Sequence, residues 1–255
     1  MLRINIHKKQ NIIGLPSGIS TTKEELLSLQ TINKKIVNCK KCPRLTKYIG
    51  EVGKCKTRKF MDQVYWAKPV PTFGDPEAKL LIIGLAPAAH GGNRTGRIFT
   101  GDSSGDWLVR ALYETGFANK PISIACNDGL ILRDAYLTAV VRCAPPCNKP
   151  NPDEIINCSQ YLLAEIKLLE RSIKAIVTLG KIAFDAYCRA ADIKGLKFGH
   201  NKIYSINNDK TLIVSYHPSR RNTNTGTLTW PMWINIFEMA RSIVNQGRKN
   251  DYQNS

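Results

Sequence analysis

Residues 80–112 read LLIIGLAPAAHGGNRTGRIFTGDSSGDWLVRAL. Leu80-Leu81-Ile82-Ile83 is a continuous apolar run of strand length, bounded by Gly84, and reads as a buried strand. Gly105–Leu112 carries apolar residues at helical spacing and reads as a helix. Between them, Gly84–Asp102 is rich in Gly and poor in hydrophobic side chains. A connection of that length in a compact domain is functional or disordered. Gly lets the backbone approach a ligand closely. Its position after a strand also fits, because ligands in open α/β sheets gather at the carboxyl ends of the strands.

Working outward, four strands are expected: 79–85, 135–142, 175–179 and 211–216. Two of them, Tyr136-Leu137-Thr138-Ala139-Val140-Val141 and Ala175-Ile176-Val177-Thr178-Leu179, show no polar alternation. Such strands are covered on both faces, as in parallel sheets. Helical patterns over 103–115, 152–170, 181–192 and 230–246 separate or follow them. Asn151-Pro152-Asp153-Glu154 opens one helix with Asn at the cap, Pro in the first turn and Glu three on. Thr21-Thr22-Lys23-Glu24 is a capping box for an earlier helix that ends near Cys39, with Leu26, Leu29, Ile32 and Ile36 on one face. Residues 43–78 show no clear period and are expected to be loop with short elements. Alternating strands and helices predict a doubly wound α/β sheet.

Lys and Arg outnumber Asp and Glu by 37 to 20 in 255 residues, a formal charge of +17. That excess suits a polyanion, since cationic side chains on phosphates release counterions. A hydrophobic fraction of 43% argues against disorder. No apolar run reaches the ~18 residues of a membrane span, and the N-terminus lacks the apolar core of a signal peptide. A cytoplasmic protein with no membrane partner is expected. There, eight Cys speak for metal binding or free thiols rather than disulfides.

Cys39-Lys40-Lys41-Cys42 is a C-x2-C pair, which alone fits a zinc site, a redox pair or chance. Cys143 follows the second strand and Cys158 lies in the helix after it. Four thiolates from two distant segments could hold zinc or an iron–sulfur cluster. Zinc ribbons carry two C-x2-C knuckles, whereas the second pair here is widely split, which favours a cluster. Cys147 competes with Cys143 as a ligand. Cys126 and Cys188 are expected to be small buried residues.

The last strand delivers His217, followed by Pro218-Ser219-Arg220-Arg221, to the same sheet edge as the Gly84–Asp102 loop. An imidazole there could hydrogen-bond to, or electrostatically stabilise, a developing negative charge. Ser219, Arg220 and Arg221 suit phosphate contacts. Lys40, Lys41 and Arg44 are further candidates for contact with a polyanion, or solvated charge.

Three stretches together resemble the uracil-DNA glycosylase superfamily, specifically its family 5 (type b) branch. They are Gly84–Asp102, Val141-Arg142-Cys143-Ala144-Pro145-Pro146 and His217-Pro218-Ser219. Cys39, Cys42, Cys143 and Cys158 match the ligand pattern of the [4Fe–4S] families in that superfamily. The likeness spans most of residues 35–245. It implies a single-domain three-layer α/β sandwich with a central four-stranded parallel sheet flanked by helices. The expected organisation is a loosely ordered 1–20, a domain over 21–246 and a tail over 247–255.

The resemblance also implies a monofunctional glycosylase that removes uracil and related damaged bases from double-stranded DNA, leaving an abasic site. A monomer working at the nucleoid is expected. The target nucleotide leaves the stack and enters a pocket. Phe99 stacks on the extruded base, the backbone around Gly84 and Ala86 contacts its edge, and His90 contacts base or phosphate. His217 stabilises the leaving base anion. Several branches place Asp or Asn before the first-motif Pro to activate water, where this chain has Ala86. Some place Asn where it has Ala139. The water-positioning role then falls first to Asn93, with Asp102 and His90 as alternatives, although Asp102 equally suits a helix cap. The [4Fe–4S] cluster is expected to be structural, tying the N-terminal helix to the sheet. Ala86 and Ala139 also leave open a non-catalytic, iron–sulfur nucleic-acid-binding protein on the same scaffold.

Overall fold

The computed structural model describes residues 23–206 and 210–253, so the expected cap at Thr21 and the segment 1–20 lie outside the described residues. The elements are α1 (Lys23–Val37), α2 (Pro43–Lys54), β1 (Phe73–Gly74), β2 (Leu80–Gly84), α3 (Gly92–Thr95), α4 (Ser103–Glu114), β3 (Ala135–Ala139), α5 (Pro152–Leu168), β4 (Ala175–Leu179), α6 (Lys181–Ala190), β5 (Lys202–Ile206), β6 (Lys210–Ser215), α7 (Arg220–Asn224) and α8 (Trp230–Gln253). The sheet order is β1-β3-β2-β4-β6-β5. The four inner strands are parallel, and β1 and β5 pair antiparallel at the two edges.

Every residue of β2, β3 and β4 is buried, which is why their sequences run apolar without alternation. One core lies between the sheet and the α4/α8 layer. The other lies between the sheet and α1, α2, α5 and α6. The architecture is the expected three-layer sandwich around four parallel strands, and two antiparallel edge strands, β1 and β5, widen the sheet to six. The edge strands gave no signal because β1 is two residues long and β5 alternates with exposed Lys202, Ile203 and Ser205.

Three more boundaries differ. Residues 43–54 form a full helix rather than loop. Pro43 occupies its first turn, and only Leu45 and Ile49 are buried, so Lys, Gly50 and Gly53 blur the period. Gly53 is needed there, as a Cβ would come within 2.7 Å of the Ala67 Cβ. The second core strand stops at Ala139 rather than Arg142. Val140 and Val141 still donate to the carbonyls of Gly84 and Leu85, both at 2.9 Å, so strand-like pairing outlasts the strand. The last helix runs through Gln253, past the expected end at 246. The cap at Asn151 is as read: its N–H donates to the Glu154 carboxylate at 2.7 Å.

The registers align the carboxyl ends of all four inner strands. Gly84 pairs with Ala139, and Leu179 with Ser215. The chain moves from β2 outward to β3, then crosses back to β4 on the other side of β2. This is a topological switch point, where α/β folds place their crevices. Among the described residues, no helix is long and apolar enough to cross a membrane.

Candidate active site and cysteine cavity

With few apolar side chains to anchor it, the loop after β2 is held by two arginines. Arg94 Nε donates to the His90 carbonyl at 2.7 Å and Nη1 to Gln63 Oε1 at 2.6 Å, while its guanidinium lies 4.0 Å from the Phe60 ring centre. Arg97 donates from Nε to Thr100 Oγ1 at 2.9 Å. Its Nη2 reaches Ser123 Oγ at 2.8 Å and Asp128 Oδ2 at 2.7 Å. Burial pushes the Asp128 carboxyl up, but Arg97 and the amides of Leu130, Ile124 and Ala125 outweigh it and hold the group well below the usual carboxylate range. Neither arginine was singled out in the sequence. The available signal was a pair of Arg in a loop with little else to bury.

The candidate residues take distinct places on this frame. Gly84 ends β2, and the Phe99 ring covers it so closely that a Cβ there would lie 2.5 Å from Phe99 Cζ. Phe99 is 7% exposed and its backbone is left-handed, φ 50°. That conformation is costly for a bulky residue and belongs to sites where surrounding structure enforces it. Ala86 is half-buried at the loop's start. His90 Nδ1 lies 3.0 Å from the Tyr65 hydroxyl, a hydrogen-bonded imidazole that anchors the loop. Asn93 is fully buried. Its Nδ2 donates to the Ile49 carbonyl of α2 at 3.3 Å, and its Oδ1 has no hydrogen-bond partner. Asp102 is the N-cap of α4: Oδ1 accepts from the amides of Ser104 and Gly105, both at 3.0 Å. Burial raises its carboxyl pKa, and these two amides partly offset the shift.

His217 leaves the end of β6 beside Gly180, the residue between β4 and α6. Its carbonyl accepts from Asn222 Nδ2 at 2.9 Å. Burial pushes its imidazole down to about 4, so the ring is neutral at pH 7. Ser219 caps the short α7, while Arg220 and Arg221 are exposed. Two hydrogen bonds join this loop to the first. Ser104 Oγ donates to the Pro218 carbonyl at 3.0 Å, and Arg220 Nε to Ser103 Oγ at 3.2 Å. Only β4 separates β2 from β6, so the two loops rise from strand ends about 10 Å apart, twice the interstrand spacing.

Past the carboxyl end of β3, Cys39, Cys42, Cys143 and Cys158 line a single small open-sided cavity, with Leu45, Pro69, Val141 and Arg142. Burial and the neighbouring thiols push Cys143 well above the usual range, and burial raises Cys158 to about 11. Among the described residues, no three His, Cys, Asp or Glu side chains converge closely enough to hold a single ion. The other four Cys lie outside this cavity. Cys147, the alternative to Cys143, is exposed and does not line the cavity. Cys126 is exposed and Cys188 half-buried, correcting the expectation that both are buried. Nearby, Arg44 makes a two-pronged contact with Glu154, at 2.8 and 2.7 Å, clamping α2 to α5. Lys41 donates to Gln160 at 3.0 Å.

The profile of the Uracil DNA glycosylase superfamily matches residues 71–239, the span that carries both loops and the whole parallel core. This chain belongs to that superfamily. Within it, relatives named type-5 uracil-DNA glycosylase align over most of the chain. The Mycobacterium tuberculosis protein is 45% identical over 85% of this chain and 82% of its own length. The Thermus thermophilus protein is 45% identical over 81% and 94%, and that of Pyrobaculum aerophilum 42% over 81% and 89%. The chain is therefore a member of the type-5 branch, in keeping with Ala86 at the position before Pro87. Relatives named as enzymes lend no support to the non-catalytic alternative.

Proposed function

We propose that this chain is a monofunctional DNA glycosylase that hydrolyses the N-glycosidic bond of uracil and related deaminated bases in double-stranded DNA, leaving an abasic site. The observation that carries the reading is the pairing of the 84–102 loop with the His217 loop at one sheet edge, bridged through Ser103 and Ser104. A base inside a duplex is out of reach of groups set at a sheet edge, so the nucleotide would be extruded, at a cost of a few kcal/mol. Arg220 and Arg221 would meet phosphates beside the opening, with Ser219. Phe99 and the backbone at Gly84 and Ala86 would form the base-binding floor, and His90 would hold that wall through Tyr65.

Bond cleavage builds positive charge on the sugar and negative charge on the departing base. His217, neutral at working pH, would serve as a hydrogen-bond donor to the leaving base rather than as a cation. Asn93 would position water: its Nδ2 is fixed by Ile49, leaving the buried Oδ1 free to accept a hydrogen bond. Asp102 is committed to the α4 cap and His90 to Tyr65, which favours Asn93 over both alternatives. Uracil is the first substrate. Small Ala86 also leaves room for hypoxanthine or xanthine, whereas the space over Gly84 is taken by the Phe99 ring. Such work takes place on genomic DNA in the cytoplasm, at the nucleoid, and a monomer suffices for it.

Cys39, Cys42, Cys143 and Cys158 would hold a [4Fe–4S] cluster. Four thiols surround one cavity without converging on a point, which suits a polynuclear centre better than a single zinc ion. The raised pKa values of Cys42, Cys143 and Cys158 call for positive charge in that cavity. The cluster would join α1 and α2 to the segment after β3 and to α5, and its role would be structural. Purified protein should be brown, absorb broadly near about 400 nm and contain iron and sulfide; a colourless preparation with one zinc per chain would overturn the assignment. Incubation with a uracil-containing duplex, followed by alkali, should produce strand breaks at uracil, and none above background would overturn the function.

A further inference from the structure

Beside the cysteine cavity, Arg142 is 1% exposed. Its guanidinium is held from one side only. Nη2 donates to Glu165 Oε2 at 2.6 Å, and the same oxygen accepts from Thr138 Oγ1 at 2.6 Å. Nε and Nη1 are buried and have no partner in the protein. Buried guanidinium nitrogens are seldom left unmatched, because desolvation is costly when no hydrogen bond replaces water. Arg142 also lines the cavity shared by the four thiols, next in sequence to Cys143 and packed with Cys158. An anchored cation with two unused donors therefore borders a site built for thiolate ligands.

We infer that Arg142 is a positioning residue for the cysteine-held centre, offsetting the negative charge of its thiolates and donating to its sulfurs. Glu165 and Thr138 fix the guanidinium from behind. The inference rests on the four-cysteine reading above. Its physical consequence is a bias between oxidation states: a fixed positive charge favours the more reduced, more negative centre, so it raises the midpoint potential and slows oxidative loss.

The test uses full-length protein purified without air. Midpoint potential and the rate of ferricyanide bleaching near about 400 nm are measured on wild type, Arg142→Lys, Thr138→Val and Arg142→Met/Glu165→Met. The double variant avoids stranding Glu165 as a lone buried charge. It removes one charge of each sign, but the guanidinium is the member of the pair that acts on Cys158, so it should show a lower potential and bleach roughly tenfold faster or more, the factor expected from losing one charge-assisted hydrogen bond. Arg142→Lys, which keeps the charge, should fall in between. Thr138→Val, which loosens the anchor without removing charge, should stay near wild type. A double variant that folds as wild type does by circular dichroism but retains no iron would be the extreme form of the same effect. Iron-containing wild type with a double variant of equal potential and bleaching rate would overturn the inference alone. So would Thr138→Val bleaching as fast as the double variant, since packing would then explain both. Wild type free of iron would overturn the four-cysteine reading and the inference with it.

Discussion

His217 shows how burial can choose a residue's chemical role. An exposed imidazole is half-protonated near pH 6.5, but desolvation in its half-buried place pushes this one down to about 4. Between those two pH values the unfolded chain binds the proton and the folded chain does not. Stability therefore rises as pH climbs from about 4 to 6.5, and is lost as pH falls through that window. Glycosylase single-turnover rates should accordingly show no inflection near 6.5. An inflection there that disappears in His217→Ala would refute a neutral donor. His217→Ala should lower the single-turnover rate by about 10²–10³, as expected for one donor to a developing anion. Asn93→Ala should cost about 10²–10⁴ if its Oδ1 holds water in position. Asp102 separates from both: Asp102→Asn keeps a good cap and should keep activity, while Asp102→Ala should cost about 1 kcal/mol of stability in urea titration. A large rate loss in Asp102→Asn at unchanged stability would move the water-positioning role to Asp102.

At the scale of elements, the loop from Leu85 to Asp102 behaves as a stapled unit. Arg97 and Asp128 are each about 5% exposed, and removing one partner strands the other's charge. Arg97→Met should destabilise by about 3–5 kcal/mol in urea titration. The Asp128 carboxyl lies below its unfolded value, so this contribution is complete above the unfolded pKa of about 4 and is lost as pH falls toward the depressed folded value. The acid-side stability profile of Arg97→Met should therefore be flatter than that of wild type; an unchanged slope would show that the pair does not carry it. The core strands could be read directly, because Ile82, Leu137 and Val177 are covered on both faces and their segments are uniformly apolar. The Asn151 cap was legible for a local reason: Pro152 and Glu154 complete one short motif. Other elements were not. The α2 helix buries only Leu45 and Ile49, and β5 is an edge whose pattern is set by solvent. At the site, the positions of Gly84, Phe99 and His217 followed from strand ends and a motif. The ties that join the loops, Ser104 to Pro218 and Arg97 to Asp128, span 114 and 31 residues and leave no local trace.

For the whole molecule, a net charge of +17 acts at long range, yet its useful part is local. Near the N-terminus of α4, the fields of Lys59 and Arg220 both oppose the burial that raises Asp106, so both cations lie near that end of the helix. Arg221 follows, exposed, on α7. Each such side chain that meets a phosphate displaces about one counterion, which sets a slope of about −0.9 per contact in log affinity against log salt. The remaining charge excess adds steering that salt screens within about 10 Å at 0.1 M. Affinity for uracil-containing duplex should therefore fall steeply with salt, by about 10³–10⁵ between 50 and 200 mM if six to ten phosphates are engaged. Arg220→Ala and Arg221→Ala should each reduce the slope by about one and weaken uracil-containing and undamaged duplex alike, because phosphates carry no base identity. His217→Ala should leave the slope unchanged while lowering cleavage, if its proposed role against the base rather than the backbone is right. Fluorescence anisotropy across a salt series measures both quantities on the same samples. A slope unaltered by either arginine substitution would move the DNA track off the α7 side of the sheet edge.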